Sequence, residues 1–404
     1  MPQNVWDFTI GYQVMKKRFS YREHDLLGRP LTPDMAKPCR VMLYDVDGRI
    51  PNLALMKLSS HYRARGCAVE LVRVRGSRPP RLRADADLHF ASAIFYRDQS
   101  VRRLGWLRSQ YGKRLEAGGS GCSLQKRLPP EVEACFPDYS LYGHHQYALG
   151  FLTRGCKKRC PFCLVPAKEG RGIRRVAHFE NFVPAGQDRV LLLDDNLLAY
   201  DGVEPLLEEM ARRRYAVNFS QTLDIAWLDE TKHRLLLEVD SRNLAFNKRM
   251  YYFSLNHPNA NRLFEERRAM LKSYGEGHVG VVCLYGFDTT LSQDYQRWRC
   301  LRRLGLIPFF QQYWPIQGVP SRLAGDFFDM DFNEVIRLTF RSNGFNWEKY
   351  LRWLNRRYFA RFGRYYRPLI EIIYRYNNKE RIAKYLRRPE LLTTEMYRDF
   401  REDG

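Results

Sequence analysis

Regular alternation of apolar and polar positions begins at Cys39. Arg40-Val41-Met42-Leu43-Tyr44-Asp45 reads as a buried strand closing on a polar turn, and Leu53, Leu55, Met56, Leu58 and Tyr62 then recur at helical spacing up to Gly66. Residues 69–74 give the next predicted strand. After a loop rich in Pro and Arg, residues 77–83, come a strand over 87–94, a helix over 101–111 and a strand over 114–117 that ends in Gly118-Gly119-Ser120-Gly121. Strands alternating with helices predict an α/β unit built on a doubly wound, Rossmann-like parallel sheet.

A second series follows a linker running from Leu128-Pro129-Pro130 to Gly143. Its predicted strands cover 147–152, 189–193, 216–219, 250–255, 279–285 and 307–313, with helices over 203–214, 261–273 and 294–304. Six strands with crossover helices predict a partial (β/α)6 parallel barrel, whose chemistry would sit at the carboxyl ends of its strands. In the last stretch Leu351, Leu354, Tyr358, Phe362 and Tyr365 share a helical face, Pro368 interrupts, and Leu369, Ile372, Ile373 and Tyr376 resume. The expected layout is an extension (1–38, broken by Pro30, Pro33 and Pro38), a Rossmann-like unit (39–142), a barrel (146–320) and a basic helical region (321–404).

Composition narrows the class. With 45% apolar and 14% aromatic residues among 404, the chain can bury a core and is not a disordered one. No apolar run approaches the roughly 18 residues of a membrane helix, and the first residues lack the basic-then-apolar order of a signal peptide. A cytoplasmic protein without a membrane partner is expected. Nine cysteines spread over this length argue for reduced thiols rather than a disulfide framework. The net charge of +22 is uneven: +10 over residues 1–145, +4 over 146–348, +11 over 349–388 and −3 over 389–404.

The strongest chemical signal is Gly155-Cys156-Lys157-Lys158-Arg159-Cys160-Pro161-Phe162-Cys163, directly after the first strand of the second series. Three thiols on one loop can converge on one metal centre. A zinc site would need a fourth ligand, for which His144, His145 and His178 are the nearest candidates. A 4Fe-4S cluster held by three thiolates leaves one iron open to a small molecule. Unligated thiols are the third reading.

Cys-x3-Cys-x2-Cys with an aromatic residue before the last cysteine resembles the signature of the radical S-adenosylmethionine (radical SAM) superfamily. The resemblance covers about residues 39–320. It implies that Cys156, Cys160 and Cys163 ligate the cluster and that S-adenosylmethionine binds the open iron. There it would be cleaved to a 5′-deoxyadenosyl radical that abstracts hydrogen from a substrate. Catalytic residues beyond the cluster are not identified. Lys157, Lys158 and Arg159 would favour the anionic cluster or an acidic electron donor such as flavodoxin or ferredoxin; as solvated loop charge they would do neither.

Further segments follow the same resemblance. It implies cofactor contacts from Phe162, from Asp194, Asp195 and Asn196 (Asp194 or Asp195 accepting from the ammonium), from Gln221, from Ser254 toward the ribose, and from Gly286 beneath the adenine. Helix capping is the competing role for Asn196 or Asp201, and Gly286 would otherwise serve only its turn. Gln221 belongs to Asn218-Phe219-Ser220-Gln221-Thr222-Leu223-Asp224, where Thr222 stands in place of the family's glycine. Gln311, Gln312 and Tyr313 would line the cavity.

Residues 39–142 resemble the cobalamin-binding-like domain that precedes many radical SAM cores. The fingerprint Asp-x-His-x-x-Gly is absent, since the comparable turn reads Asp45-Val46-Asp47-Gly48, so cobalamin is not expected. Methylthiotransferases of the superfamily carry three more cysteines in Gly-Cys motifs. Here Cys39, Cys67, Cys122 and Cys135 lie outside such motifs; most of them, and Cys283 and Cys300, are expected in the core.

Between 349 and 388 ten aromatics interleave with thirteen cations, a composition that suits nucleic acid or a helix packed by its apolar face. The alternatives to a hydrogen-abstracting enzyme are a methyltransferase or methylthiotransferase-like enzyme that modifies RNA, and a non-catalytic iron–sulfur protein that binds nucleic acid or transfers electrons.

Overall fold

The computed structural model describes residues 39–76, 86–143, 146–256, 260–285 and 287–313. The extension 1–38, the loop at 77–83, His144, His145, Gly286 and the C-terminal helical region with its nucleic-acid expectation lie outside the described residues. The fold is mixed α/β with parallel sheets, and the chain divides into two compact units, Met1–His145 and Gln146–Gly404.

In the first unit β1 (Arg40–Asp45), α1 (Leu53–Arg63), β2 (Ala68–Arg73), β3 (Leu88–Ser92), α2 (Asp98–Tyr111) and β4 (Leu115–Gly118) build one sheet of order β2-β1-β3-β4, parallel throughout. The central β1 is buried from Val41 to Asp45, which is why it reads as a nearly continuous apolar run. Its Met42 and Tyr44 pack with Val74, Leu104, Leu107 and Tyr111. Asn52 starts α1 by accepting from the Leu55 N–H, and it ties that start to β3 by donating to Ser92.

The turn after β1 has a different occupation from a cobalt-binding one. Asp47 stands where the fingerprint has histidine. Its carboxylate accepts from Ile94 N (2.8 Å) and Phe95 N (3.0 Å) in the loop after β3 and from Ser100 Oγ (2.6 Å) in the first turn of α2. Gly119, at φ +88°, closes the same end of the sheet, and a Cβ there would stand 2.2 Å from Ala93 O. These residues do not fit a cobalt ligand. α2 begins at Asp98, three residues before the apolar periodicity, with Arg97 at its cap position and no side-chain cap bond.

The second unit holds β5 (Ala148–Gly150), β6 (Thr153–Cys156), β7 (Gly172–Arg175), β8 (Arg189–Leu192), β9 (Ala216–Phe219), β10 (Leu223–Asp224), β11 (Asp240–Ser241), β12 (Tyr251–Ser254), β13 (Val279–Tyr285) and β14 (Ile307–Gln312). They form two four-stranded parallel sheets, β11-β9-β8-β5 and β10-β12-β13-β14, and an antiparallel hairpin of β6 and β7. Helices Val203–Arg212 and Glu230–Glu238 connect strands and share with them a core that includes Val190, Leu207, Val217, Leu236, Phe253 and Val281.

Three expectations change. The strand over 147–152 ends at Gly150, and a separate strand starts at Thr153. The helix over 261–273 is two helices, Asn261–Glu266 and Arg268–Ser273, broken at Arg267, whose Nε donates to Leu228 O. The helix over 294–304 begins at Leu291, because Thr290 and Gln293 form a reciprocal capping box. From that helix the fully buried Arg297 pairs with Asp294 and donates to Leu255 O and Leu284 O, tying together the ends of β12 and β13. Cys67, Cys283 and Cys300 are buried, while Cys39, Cys122 and Cys135 are only half-buried. No described helix is long and apolar enough to cross a membrane.

Burial, helped by the neighbouring Arg65, lowers the His61 pKa to about 4 from an ordinary value near 6.5. The unfolded chain therefore binds more protons between these values. His61 contributes stability fully above about pH 6.5 and loses it as the pH falls toward 4. Hydrogen exchange of peptides covering β1 and α1, corrected for intrinsic rates, is expected to show a steeper loss of protection from pH 7 to 5 in wild type than in His61→Gln. Equal pH dependence would count against this assignment.

Candidate functional site

The three clustered thiols lie on the segment that leaves β6, and the path of that segment is set from the end of β8. Asp194 is buried, and its carboxylate accepts from Leu152 N (3.2 Å), Thr153 N (2.5 Å) and Thr153 Oγ1 (2.7 Å). Those bonds turn the chain out of the β5 sheet at residue 152. Burial raises the Asp194 carboxyl to about 6, against the opposing effect of these donors. Asp195 accepts from Gly155 N (2.8 Å). Asp194 thus meets protein donors where the resemblance implies an ammonium, and Asp195 holds the strand that carries Cys156.

Gly155 admits no other residue. Its φ is +98°, and a Cβ would stand 2.1 Å from Gly172 O across the β6–β7 hairpin. Beyond it, Cys156 Sγ accepts from Lys158 N (3.3 Å) and Asn196 Nδ2 (3.3 Å), while Cys163 Sγ accepts from Val165 N (3.4 Å). Donors aimed at sulfur suit thiolates that hold a cluster. Burial raises the thiol pKa of Cys160, and that of Cys163 to about 11, so loading a metal centre must displace protons. Among the described residues no three His, Cys, Asp or Glu side chains converge on a site for a single ion. His178 caps the turn at Phe179–Asn181.

Two of the loop cations, Lys157 and Lys158, have acidic partners. Lys157 pairs with Asp201 and lies 5.3 Å from the centre of the Trp227 ring; Lys158 Nζ is 2.5 Å from Asp224 Oδ2. Asn196 Nδ2 also faces Asp224 Oδ2, at 3.4 Å. Asn196 occupies the cap position of the Leu197–Ala199 turn, yet its side chain makes no cap bond, and its Oδ1 is buried without a partner among the described residues. Asp201 pairs with a lysine and the following helix is capped at Gly202, so the capping role holds for neither residue.

The remaining predicted positions divide. Ser254, half-buried on β12, is the register partner of Asp224. Phe162 meets Phe287 edge-on at 5.7 Å, and Phe287 meets the buried Tyr313 at 4.9 Å. Gln221 is exposed on the turn between β9 and β10, and Gln311 is exposed on β14. On that first turn Thr222 has φ +69°, a conformation costly for a β-branched side chain. Sequence reasoning gave Asp224 no role, and the role comes from partners 28 and 66 positions away, Asn196 and Lys158.

No protein-family model matches the chain, and no curated protein matches it. Among solved structures, the crystal structure of Streptococcus suis SuiB bound to S-adenosylmethionine aligns at 12% identity and a TM-score of 0.32, over 52% of this chain and 48% of SuiB. The chain thus matches about half the length of that protein. A likeness of this size fixes neither fold nor chemistry.

Gly155→Ala is expected to lower the melting temperature of the full chain more than Gly186→Ala. The first combines a left-handed backbone with a backbone clash; the second, at φ +79° with open space around it, carries only the conformational cost of about 1 kcal/mol. Equal losses in a thermal denaturation series would show that the hairpin does not pin the thiol loop.

Proposed function

We propose that the chain is a radical SAM enzyme whose 4Fe-4S cluster is held by Cys156, Cys160 and Cys163. The observation that carries this reading is one loop with three thiols, of which Cys156 and Cys163 accept N–H donors at sulfur. In this reading the two parallel sheets of the second unit are parts of an open (β/α)6 barrel, and the loop stands at its first strand. Cys156, Cys160 and Cys163 would hold the cluster, which when bound would supply the one-electron reductive cleavage of the C–S bond of S-adenosylmethionine.

The chain's own residues provide the setting. With three thiolates as its only protein ligands, the cluster would be able to bind S-adenosylmethionine directly. Asp194 and Asp195 fix the loop, and the buried Oδ1 of Asn196 is the acceptor held for the ammonium group. Ser254 and the Phe162 ring complete the proposed contacts, with Gly286 from the resemblance alone. Phe287 and Tyr313 back Phe162 with apolar surface, which disfavours water beside a reactive radical. The electron would come from a flavodoxin or ferredoxin.

After anaerobic reconstitution and reduction, wild type is expected to hold about four irons and four sulfides per chain and to release 5′-deoxyadenosine from S-adenosylmethionine. Cys160→Ala should release none. A full cluster in wild type with no cleavage would overturn the enzymatic reading in favour of an electron-transfer or nucleic-acid-binding protein.

A further inference from the structure

Asn196 lies where two negative or electron-rich groups meet. Its Nδ2 is 3.3 Å from Cys156 Sγ and 3.4 Å from Asp224 Oδ2, and the residue is 5% exposed. The carboxylate settles which way the amide faces, because the amide oxygen turned that way would meet a carboxylate oxygen at hydrogen-bond distance. Asp224 in turn is held by Lys158, two residues along the chain from Cys156. Three separate segments thus converge on one sulfur: the thiol loop supplies Cys156 and Lys158, the end of β8 supplies Asn196, and β10 supplies Asp224.

A hydrogen bond to a ligating sulfur withdraws electron density, and it strengthens when the metal centre gains an electron. Such bonds are among the terms that set the reduction potential of an iron–sulfur cluster. Lys158 N also donates to Cys156 Sγ, but it is a backbone group that the loop provides whatever its side chains are. The Asn196 amide is the side-chain donor, and its orientation depends on Asp224.

We propose that Asn196, oriented by Asp224, is a positioning residue that raises the reduction potential of the cluster through its hydrogen bond to Cys156. The inference rests on the cluster assignment made above. Reduction adds one electron from an external donor and neither forms nor breaks a bond, so the potential reads this interaction without substrate turnover.

The test is an EPR-monitored redox titration of the reconstituted full chain, with iron and sulfide assayed in parallel, on wild type, Asn196→Ala and Asn196→Leu. The leucine variant keeps the volume and removes the amide. Both variants are expected to retain the cluster and to be harder to reduce by roughly tenfold in equilibrium constant, about 59 mV for a one-electron couple. Full clusters with unchanged midpoints would overturn the proposal. Loss of the cluster in both variants, with wild type intact, would also overturn it, since Asn196 would then hold Cys156 in place rather than tune it. If wild type itself assembles no cluster, the assignment above fails and this inference falls with it.

Discussion

The buried carboxylate of Asp194 is the constraint on which the rest of the second unit's chemistry-bearing end depends. A carboxylate taken out of water is costly unless donors surround it. Here the donors are two successive backbone N–H groups and a hydroxyl, at residues 152 and 153. Satisfying Asp194 obliges the chain to leave the β5 sheet at that point. The departure creates the hairpin, the hairpin requires Gly155, and Gly155 delivers Cys156 to the side of Asn196. Asp195, the next residue, secures the same strand one step further on. Two adjacent acidic residues therefore do the work of a small scaffold.

Charge at this end of the unit is arranged in pairs. Lys157 with Asp201 and Lys158 with Asp224 bring the cationic loop against acidic groups of the following segments. The Lys157–Asp201 pair, exposed at its acidic end, contributes little stability, on the order of 0–1 kcal/mol, whereas Asp224 is buried. The effect of both pairs is directional: each fixes where a loop residue lies relative to the carboxyl ends of the strands. Arg297 does the corresponding task inside the protein, where its complete burial makes it far more consequential. Removing one member of a buried pair leaves the other uncompensated, at about 3–5 kcal/mol.

Strands buried on both faces were legible as continuous apolar runs, and residues 40–45, 216–219 and 279–285 carry the observed boundaries of β1, β9 and β13. The triple-cysteine loop was legible too, since its spacing is local. What escaped was set by partners distant along the chain. Nothing between residues 147 and 156 announces that a carboxylate at 194 will divide one strand into two. Nor does the helical periodicity from 261 to 273 announce that Arg267 will reach Leu228. Asn196 illustrates the same limit: its type and place fit a helix cap, and only the proximity of Cys156 and Asp224 turns its amide elsewhere. The Thr290–Gln293 box was local and readable, yet it lies ahead of residue 294, where the helical stretch was expected to begin.

Asp47 acts as a built-in ligand of the first unit. An open parallel sheet of this kind commonly reserves the crevice at its carboxyl edge for a ligand, and the unit's stability then rises and falls with that ligand's concentration. Here an acidic side chain of the protein itself occupies the donors of the loop after β3 and the hydroxyl of Ser100. Being covalently attached, it is present at a constant effective concentration, whatever the concentration of the protein or of a solute. That part of the sheet's edge is therefore tied by the chain itself.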